Sequence, residues 1–201
     1  MTVLFLSLAY LVGCIPTSFV VGKAVRGIDL RKHGSGNLGA TNAFRVLGWR
    51  AAVPILLFDT FKGWAPAALF PHWDTNTGLD WALVYGAAAV IGHAFSIFVT
   101  FRGGKGVATG AGVFLALAPV AVLAALAVWG ALVLLTGFVS LGSIIASALL
   151  PALIALTVGT GATFWLSIGV AAFVVYGHRK NVGRLLRGEE HRFGRRARGV
   201  G

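Results

Sequence analysis

Three polar stretches carry most of the chemistry this chain of 201 residues can offer, and each stands between apolar runs. The first is Gly34-Ser35-Gly36-Asn37-Leu38-Gly39-Ala40-Thr41-Asn42-Ala43-Phe44-Arg45. It satisfies G-x-G-x-x-G literally, but a dinucleotide site needs a preceding strand and a βαβ unit, and here apolar helical runs flank it. The glycines let backbone amides approach an anion closely. Ser35, Asn37, Thr41 and Asn42 add short polar contacts, and Arg45 offers a planar fork for phosphate. A flexible turn between two helices is the plainer reading from composition alone.

The second stretch runs from Gly92-His93 through Ser96 to Arg102-Gly103-Gly104-Lys105-Gly106-Val107. Glycines around one lysine, at the start of the next apolar helix, are expected to aim unpaired amides and the positive end of a helix dipole at one point. That makes an anion cradle. It is no Walker A loop, because position 99 is Val and no acidic Mg²⁺ ligand follows. His93 reads equally well as a packed residue bonded to a neighbouring helix or as a ligand.

The third stretch begins where the last apolar run ends, with His178 and Asn181 three apart and so on one helical face. Arg184, Leu185, Leu186 and Arg187 read as an interfacial segment on anionic lipid. Two charged residues stand apart from these stretches, inside an apolar run: Asp59 and Lys62. Unpaired, each would cost about 2.5 to 3.5 kcal/mol at a bilayer centre, so they are expected to pair, with support of the site as the alternative. Ser140 and Ser143, also three apart, either glue helices together or touch the site.

The elements that must position these groups are membrane helices. The chain is 57% hydrophobic and 11% charged, with mean hydropathy +0.84, which excludes a water-soluble globular domain and a disordered chain. One cysteine excludes an internal disulfide framework. Cys14 follows Leu-Val-Gly as in a lipoprotein signal, but no Lys or Arg precedes it, so a packed helix residue next to a bend at Pro16 is the better reading. The formal charge of +11 would suggest nucleic acid in a soluble protein. Here every Lys and Arg except Lys62 falls between residues 22 and 50, at 102 to 105, or beyond 178, so the pattern reports membrane topology and no nucleic-acid partner.

Under the positive-inside rule those segments are cytoplasmic, and the His72 to Asp80 linker, free of Lys and Arg, is external. The N-terminus is then outside and the C-terminus inside. Between Val107 and Gly177 there is no Asp, Glu, Lys or Arg. Parity demands an even number of crossings there, and four of about 18 residues fit where two of about 35 do not. The expectation is an all-α polytopic membrane protein in one domain, residues 1–201. Its seven transmembrane helices fall near 1–22, 51–71, 81–101, 107–119, 120–137, 140–158 and 161–178. Pro119, Gly137 and Gly159-Thr160-Gly161 supply the breaks.

On the expected cytoplasmic face the cations meet only Asp29, Glu189 and Glu190, so some of them await anions. A few charged hydrogen bonds of about 1.5 to 3 kcal/mol each suffice for micromolar affinity toward a phosphate-bearing ligand. There is no local thiol, no paired-carboxylate dyad and no His/Cys/Asp metal cluster. Those absences leave transfer of an already activated group, or passage of an anion, with no metal and no cofactor expected. A transporter of a phosphate-bearing solute is therefore the rival reading. The absence of internal repeats and the gathering of polar residues at one face count against it.

Taken together, GSGNLGATN with Arg45, GHAFSIFVTFRGGKGVAT, and His178-x-x-Asn181 followed by RLLRGEE strongly resemble the bacterial acyl-phosphate:glycerol-3-phosphate acyltransferases, the PlsY family. LVGCIPTSF, Asp59-x-x-Lys62-Gly63 and FVSLGSI extend the resemblance over nearly the whole chain. It implies a seven-helix enzyme of the bacterial inner membrane with a cytoplasmic active site. The enzyme would move a fatty acyl group from acyl phosphate to the sn-1 hydroxyl of glycerol-3-phosphate, giving lysophosphatidic acid and phosphate. A monomer among membrane lipids is expected. By motif, Ser35, Arg45, Lys105, His178 and Asn181 would be catalytic. Gly34, Gly36, Asn37, Thr41, Asn42, Gly103, Gly104 and Ser143 would bind substrate or phosphate, with the Gly103 and Gly104 amides as direct contacts. Asp59, Lys62 and Glu190 would support the structure. The donor is already activated, so no covalent intermediate is needed. A substrate phosphate oxygen is favoured over His178 as the base. The chain departs from the family pattern at Leu38 and Ser96, where proline is usual, at Arg102, where lysine is common, and at Gly177, where arginine often precedes the histidine. For the last, either Arg179 substitutes or that arginine is dispensable. The arginine-rich end from His191 to Gly201 reads as a lipid-bound tail.

Overall fold

The computed structural model describes residues 1–76 and 80–193, and every regular element in them is helical. Ten α-helices follow in order: α1 Thr2–Cys14, α2 Thr17–Arg26, α3 Ala40–Leu47, α4 Trp49–Trp73, α5 Trp81–Ala94, α6 Val107–Leu117, α7 Pro119–Thr136, α8 Val139–Thr157, α9 Ala162–Gly177 and α10 Arg179–Leu186. Four stretches are long and apolar enough to cross a membrane: Thr2–Arg26, Trp81–Val99, Pro119–Thr136 and Val139–Thr157. The apolar helices α6 and α9 are shorter. The short α6 and the breaks at Pro119, Gly137 and Gly159–Gly161 fall where sequence places them.

Three boundaries differ from expectation. The first run is two helices, because Pro16 has no amide to donate and the chain kinks there. The third ends at Ala94; beyond it a 3₁₀ turn, Ile97–Val99, leads into Thr100 and Phe101, both at positive φ (56° and 58°). The glycine-rich loop is also not all loop. From Ala40 it winds into α3, so Thr41, Asn42 and Arg45 are helical residues. Glycines bracketing this helix at 39 and 48, with Ala43 buried on one face, are the signal that marks it in sequence.

Helix contacts rely on missing side chains, as expected where lipid supplies no hydrophobic drive between helices. A Cβ on Gly63 would lie 2.0 Å from the Thr109 carbonyl oxygen, and one on Gly112 would lie 1.9 Å from that of Thr60, so α4 and α6 touch backbone to backbone. Gly13 and Gly92 do the same for α1 and α5. The two ends of the bundle are chemically distinct. At one, Asp74 accepts hydrogen bonds from Thr2 and Tyr85 at 2.6 and 2.5 Å. At the other, the C-terminal ends of α5, α7 and α9 meet the N-terminal ends of α4, α6 and α8, and the three polar stretches collect there. Residues 77–79 of the expected external linker and 194–201 of the tail expected on lipid from His191 lie outside the described residues; the described start of that tail packs on protein instead, with Arg192 over Phe138 and Phe193 stacked on Phe44.

Candidate active site

Asn42 organises the first stretch. Its side chain is 1% exposed; Nδ2 donates to the carbonyls of Leu30, His33 and Asn37 at 3.0 to 3.2 Å, and Oδ1 accepts from the Ser35 amide at 2.8 Å. The expectation of a substrate contact at Asn42 is therefore corrected: its amide is wholly taken by the loop it shapes. That shaping leaves other groups available. Among the described residues the hydroxyls of Ser35 and Thr41 and the side-chain amide of Asn37 make no hydrogen bond. Gly34 and Gly36 adopt positive φ, 61° and 72°. Asp29 caps the turn before the loop and grips Arg31, which holds its carboxyl below the usual range; Arg31 in turn donates to the Val99 carbonyl at 3.2 Å.

The second stretch packs directly on the first. The Leu38 carbonyl oxygen lies 2.6 Å from where a Cβ on Gly104 would stand, and Gly36 and Gly103 line one groove of about 470 Å³ together with Arg31, Lys32 and Arg102. One expectation fails here. The Gly103 and Gly104 amides donate to the carbonyls of Ala94 and His93 at 3.0 and 3.1 Å, closing the end of α5, so they are not free anion donors. These glycines serve by close approach instead: a Cβ at position 103 would fall 1.9 Å from the His93 carbonyl oxygen.

Lys105 then reaches the third stretch, donating to Asn181 Oδ1 at 2.5 Å. Asn181 Nδ2 donates to Glu190, whose other oxygen accepts from Arg184 Nε at 2.8 Å. Arg45 lies 3.7 Å from Glu190. Side chains of the first and third stretches thus meet at one carboxylate that is 0% exposed, and Lys105 of the second joins them through Asn181. Arg184 is accordingly an ion-pairing residue here and not a lipid contact, while Leu186 stays exposed. The helix does not run through His178; it breaks there, so His178 caps α9 and starts α10, with Asn181 in the next turn and both buried. His178 Nδ1 donates to the Val174 carbonyl at 2.7 Å, leaving Nε2 as the nitrogen open to other partners, and the Lys105 charge reaches the ring. Gly177 lies against the Lys105 side chain, 3.6 Å from its would-be Cβ. Arg179 does not replace the missing arginine, because its guanidinium sits over the exposed Tyr176 ring at 4.3 Å.

Burial dominates the electrostatics. It pushes Lys105 down to about 8, with Glu190 opposing the shift and Arg184 and Arg45 adding to it. It also pulls Arg45 below its ordinary value. A half-buried cation with a lowered pKa gains most from a bound anion, which restores the neutralising charge that water no longer provides. Ser143 is placed differently. Its hydroxyl donates to the Val139 carbonyl and accepts from the Trp129 indole, which is the helix-gluing role between α7 and α8. Asp59 and Lys62 pair at 2.6 Å, buried, as expected. Among the described residues no three His, Cys, Asp or Glu side chains gather as metal ligands would.

Residues 3–188 match the family model described as glycerol-3-phosphate acyltransferase. The chain belongs to that family. Curated relatives of the same description include one from Fusobacterium nucleatum subsp. nucleatum, 43% identical over 94% of this chain and 96% of its own, and one from Geotalea daltonii, 44% identical over 93% and 95%. Two solved structures of PlsY, an integral membrane glycerol 3-phosphate acyltransferase, superpose closely. Its glycerol 3-phosphate form has a TM-score of 0.90 at 37% identity over 96% of both chains. Its lysophosphatidic acid form has 0.87 at 36% over 96% and 95%. As a member of this glycerol-3-phosphate acyltransferase family, the chain is an all-helical integral membrane protein.

Proposed function

We propose that this acyltransferase moves a fatty acyl group from acyl phosphate to the sn-1 hydroxyl of glycerol-3-phosphate, releasing lysophosphatidic acid and inorganic phosphate. One observation carries the reading: Arg45, Lys105 and Asn181, from three distant parts of the chain, meet around a buried carboxylate at the polar end of an apolar bundle. Cations beneath lipid-facing helices suit two phosphorylated substrates of which one carries an acyl tail. The related PlsY structures include forms with glycerol 3-phosphate and lysophosphatidic acid, the acceptor and product of such a transfer.

In this mechanism Arg45 and Lys105 hold phosphate oxygens, Asn181 fixes the ammonium of Lys105, and Ser35 with the open loop glycines Gly34 and Gly36, Asn37 and Thr41 receives the donor phosphate. Gly103 and Gly104 give the room for that approach. The acceptor oxygen attacks the acyl carbonyl carbon, the bond from that carbon to the bridging oxygen breaks, and phosphate leaves. The hydroxyl proton passes to a substrate phosphate oxygen, with His178 Nε2 as a hydrogen-bond partner and no covalent enzyme intermediate. Positioning and charge stabilisation supply the rate. Seven crossings with the N-terminus outside, one domain, a monomeric state, and a site facing the cytoplasm from the bacterial inner membrane complete the proposal. It rests on the clustering of Lys and Arg in the segments that form this end.

The test is phosphate release from acyl phosphate by purified protein, with and without glycerol-3-phosphate. Release that requires the acceptor and matches lysophosphatidic acid formed supports the reading. Acceptor-independent release, or rates unchanged in Lys105→Ala and Arg45→Ala, overturns it.

A further inference from the structure

The break between α1 and α2 exposes backbone carbonyls inside the bundle. Past Pro16 the amides of Phe19 and Val20 bond to the Pro16 carbonyl at 2.9 and 3.0 Å, so the Cys14 and Ile15 carbonyls turn to other helices. Ser96 Oγ donates to Cys14 at 2.5 Å, an interaction the usual proline at that position could not make. Lys62 Nζ donates to Ile15 at 2.8 Å, alongside the Thr17 amide, and is neutralised by Asp59 at 2.6 Å. Asp59 also accepts from Thr17 Oγ1 at 2.9 Å. His93 stands near the same carboxylate oxygen, with Nδ1 3.9 Å from Asp59 Oδ1, beyond hydrogen-bond distance. A cavity of about 10 Å³ lies among Asp59, Lys62, His93 and Ser96, room for one water with polar partners.

The far edge of the same imidazole supports the phosphate turn. His93 Nε2 is 2.2 Å and Cε1 2.8 Å from the place a Cβ on Gly104 would take, so Gly104 packs directly against that edge of the ring. The His93 carbonyl accepts the Gly104 amide, and Gly103 and Gly104 line the same cavity. Lys105 is the next residue. We infer that His93, packed beside the Asp59–Lys62 pair at the broken helix, is a positioning residue that sets the height and direction of Lys105 toward substrate phosphate. It touches no substrate and acts through Gly104. The inference rests on the acyltransferase reading and deepens it.

The experiment measures glycerol-3-phosphate affinity by calorimetry, and kcat and KM for both substrates, on detergent-purified full-length wild type, His93→Ala, His93→Asn, Asp59→Asn, Lys105→Ala and the His93→Ala/Lys105→Ala double variant. His93→Ala is expected to weaken glycerol-3-phosphate binding by about tenfold, the size of effect such supporting residues exert, with a smaller change in KM for acyl phosphate. His93→Asn keeps a donor toward Asp59 but lacks the Nε2–Cε1 edge that meets Gly104, so it shows a similar loss. In the Lys105→Ala background, removing His93 has no further effect on binding. Melting temperatures separate folding from positioning: a variant that melts early is judged by His93→Asn alone. Equal affinity in wild type and His93→Ala, or a His93→Ala loss that persists in full without Lys105, overturns the inference. A wild type that neither binds nor acylates glycerol-3-phosphate overturns the functional reading instead.

Discussion

Replacing Glu190 by glutamine separates two roles that the geometry superimposes. The carboxylate is a resident anion in a cation cluster, and it is also the acceptor that joins Asn181 and Arg184. An anion hydrogen-bonded to Arg45 on the side away from Glu190 would sit on the order of 6 Å from that carboxylate, given the 3.7 Å between Arg45 and Glu190. At an effective dielectric of about 20, two unit charges at that distance repel by roughly 3 kcal/mol, and solvent and salt reduce this toward 1.5. Removing the negative charge should therefore tighten inorganic phosphate binding by about ten- to a hundredfold. Glutamine keeps an oxygen for Asn181 but cannot accept from Arg184 at the second position, so Glu190→Gln should also melt several degrees earlier. Product inhibition by phosphate in initial-rate assays, or calorimetric titration with phosphate, reads the first effect. Phosphate affinity unchanged or weaker in a folded Glu190→Gln protein would refute the assignment of this cluster as the phosphate site.

Because burial holds Lys105 near 8, its charge disappears as pH rises through that value, and kcat/KM for glycerol-3-phosphate should decline tenfold per unit on the alkaline side in pH-rate profiles. Lys105→Arg, whose guanidinium stays charged, should flatten that limb even at reduced overall rate. Asn42→Ala deletes four hydrogen bonds that shape residues 30–37, each contributing about 0.5 to 1.5 kcal/mol, so hydrogen exchange at residues 33–39 should accelerate and turnover drop at least tenfold. Gly112→Val pushes a side chain into the Thr60 carbonyl and should lower the melting temperature of the detergent-solubilised protein far more than Gly130→Val, whose Cβ meets nothing within 4 Å.

Hydropathy and charge segregation determine the helical class and most helix boundaries, because each depends on composition over some twenty residues and on local breakers such as Pro119 and Gly137. The polar motifs likewise carry the expectation of a phosphate site, since glycines and cations between apolar runs can hold an anion. What they cannot declare is which donors are free. The Gly103 and Gly104 amides look open along the chain and are closed by α5 only because the 3₁₀ turn at Ile97–Val99 folds them back onto Ala94 and His93. Asn42 looks like a ligand and proves to be a loop organiser; Glu190, expected to support the structure, joins Asn181, Arg184 and Arg45. Lys62 and Ser96, tens of residues further along the chain, take the carbonyls released at Pro16. Hydrogen-bond satisfaction is decided pairwise in space, between residues separated by tens of positions, and for that reason only the tertiary structure could say which polar groups are taken and which await a substrate.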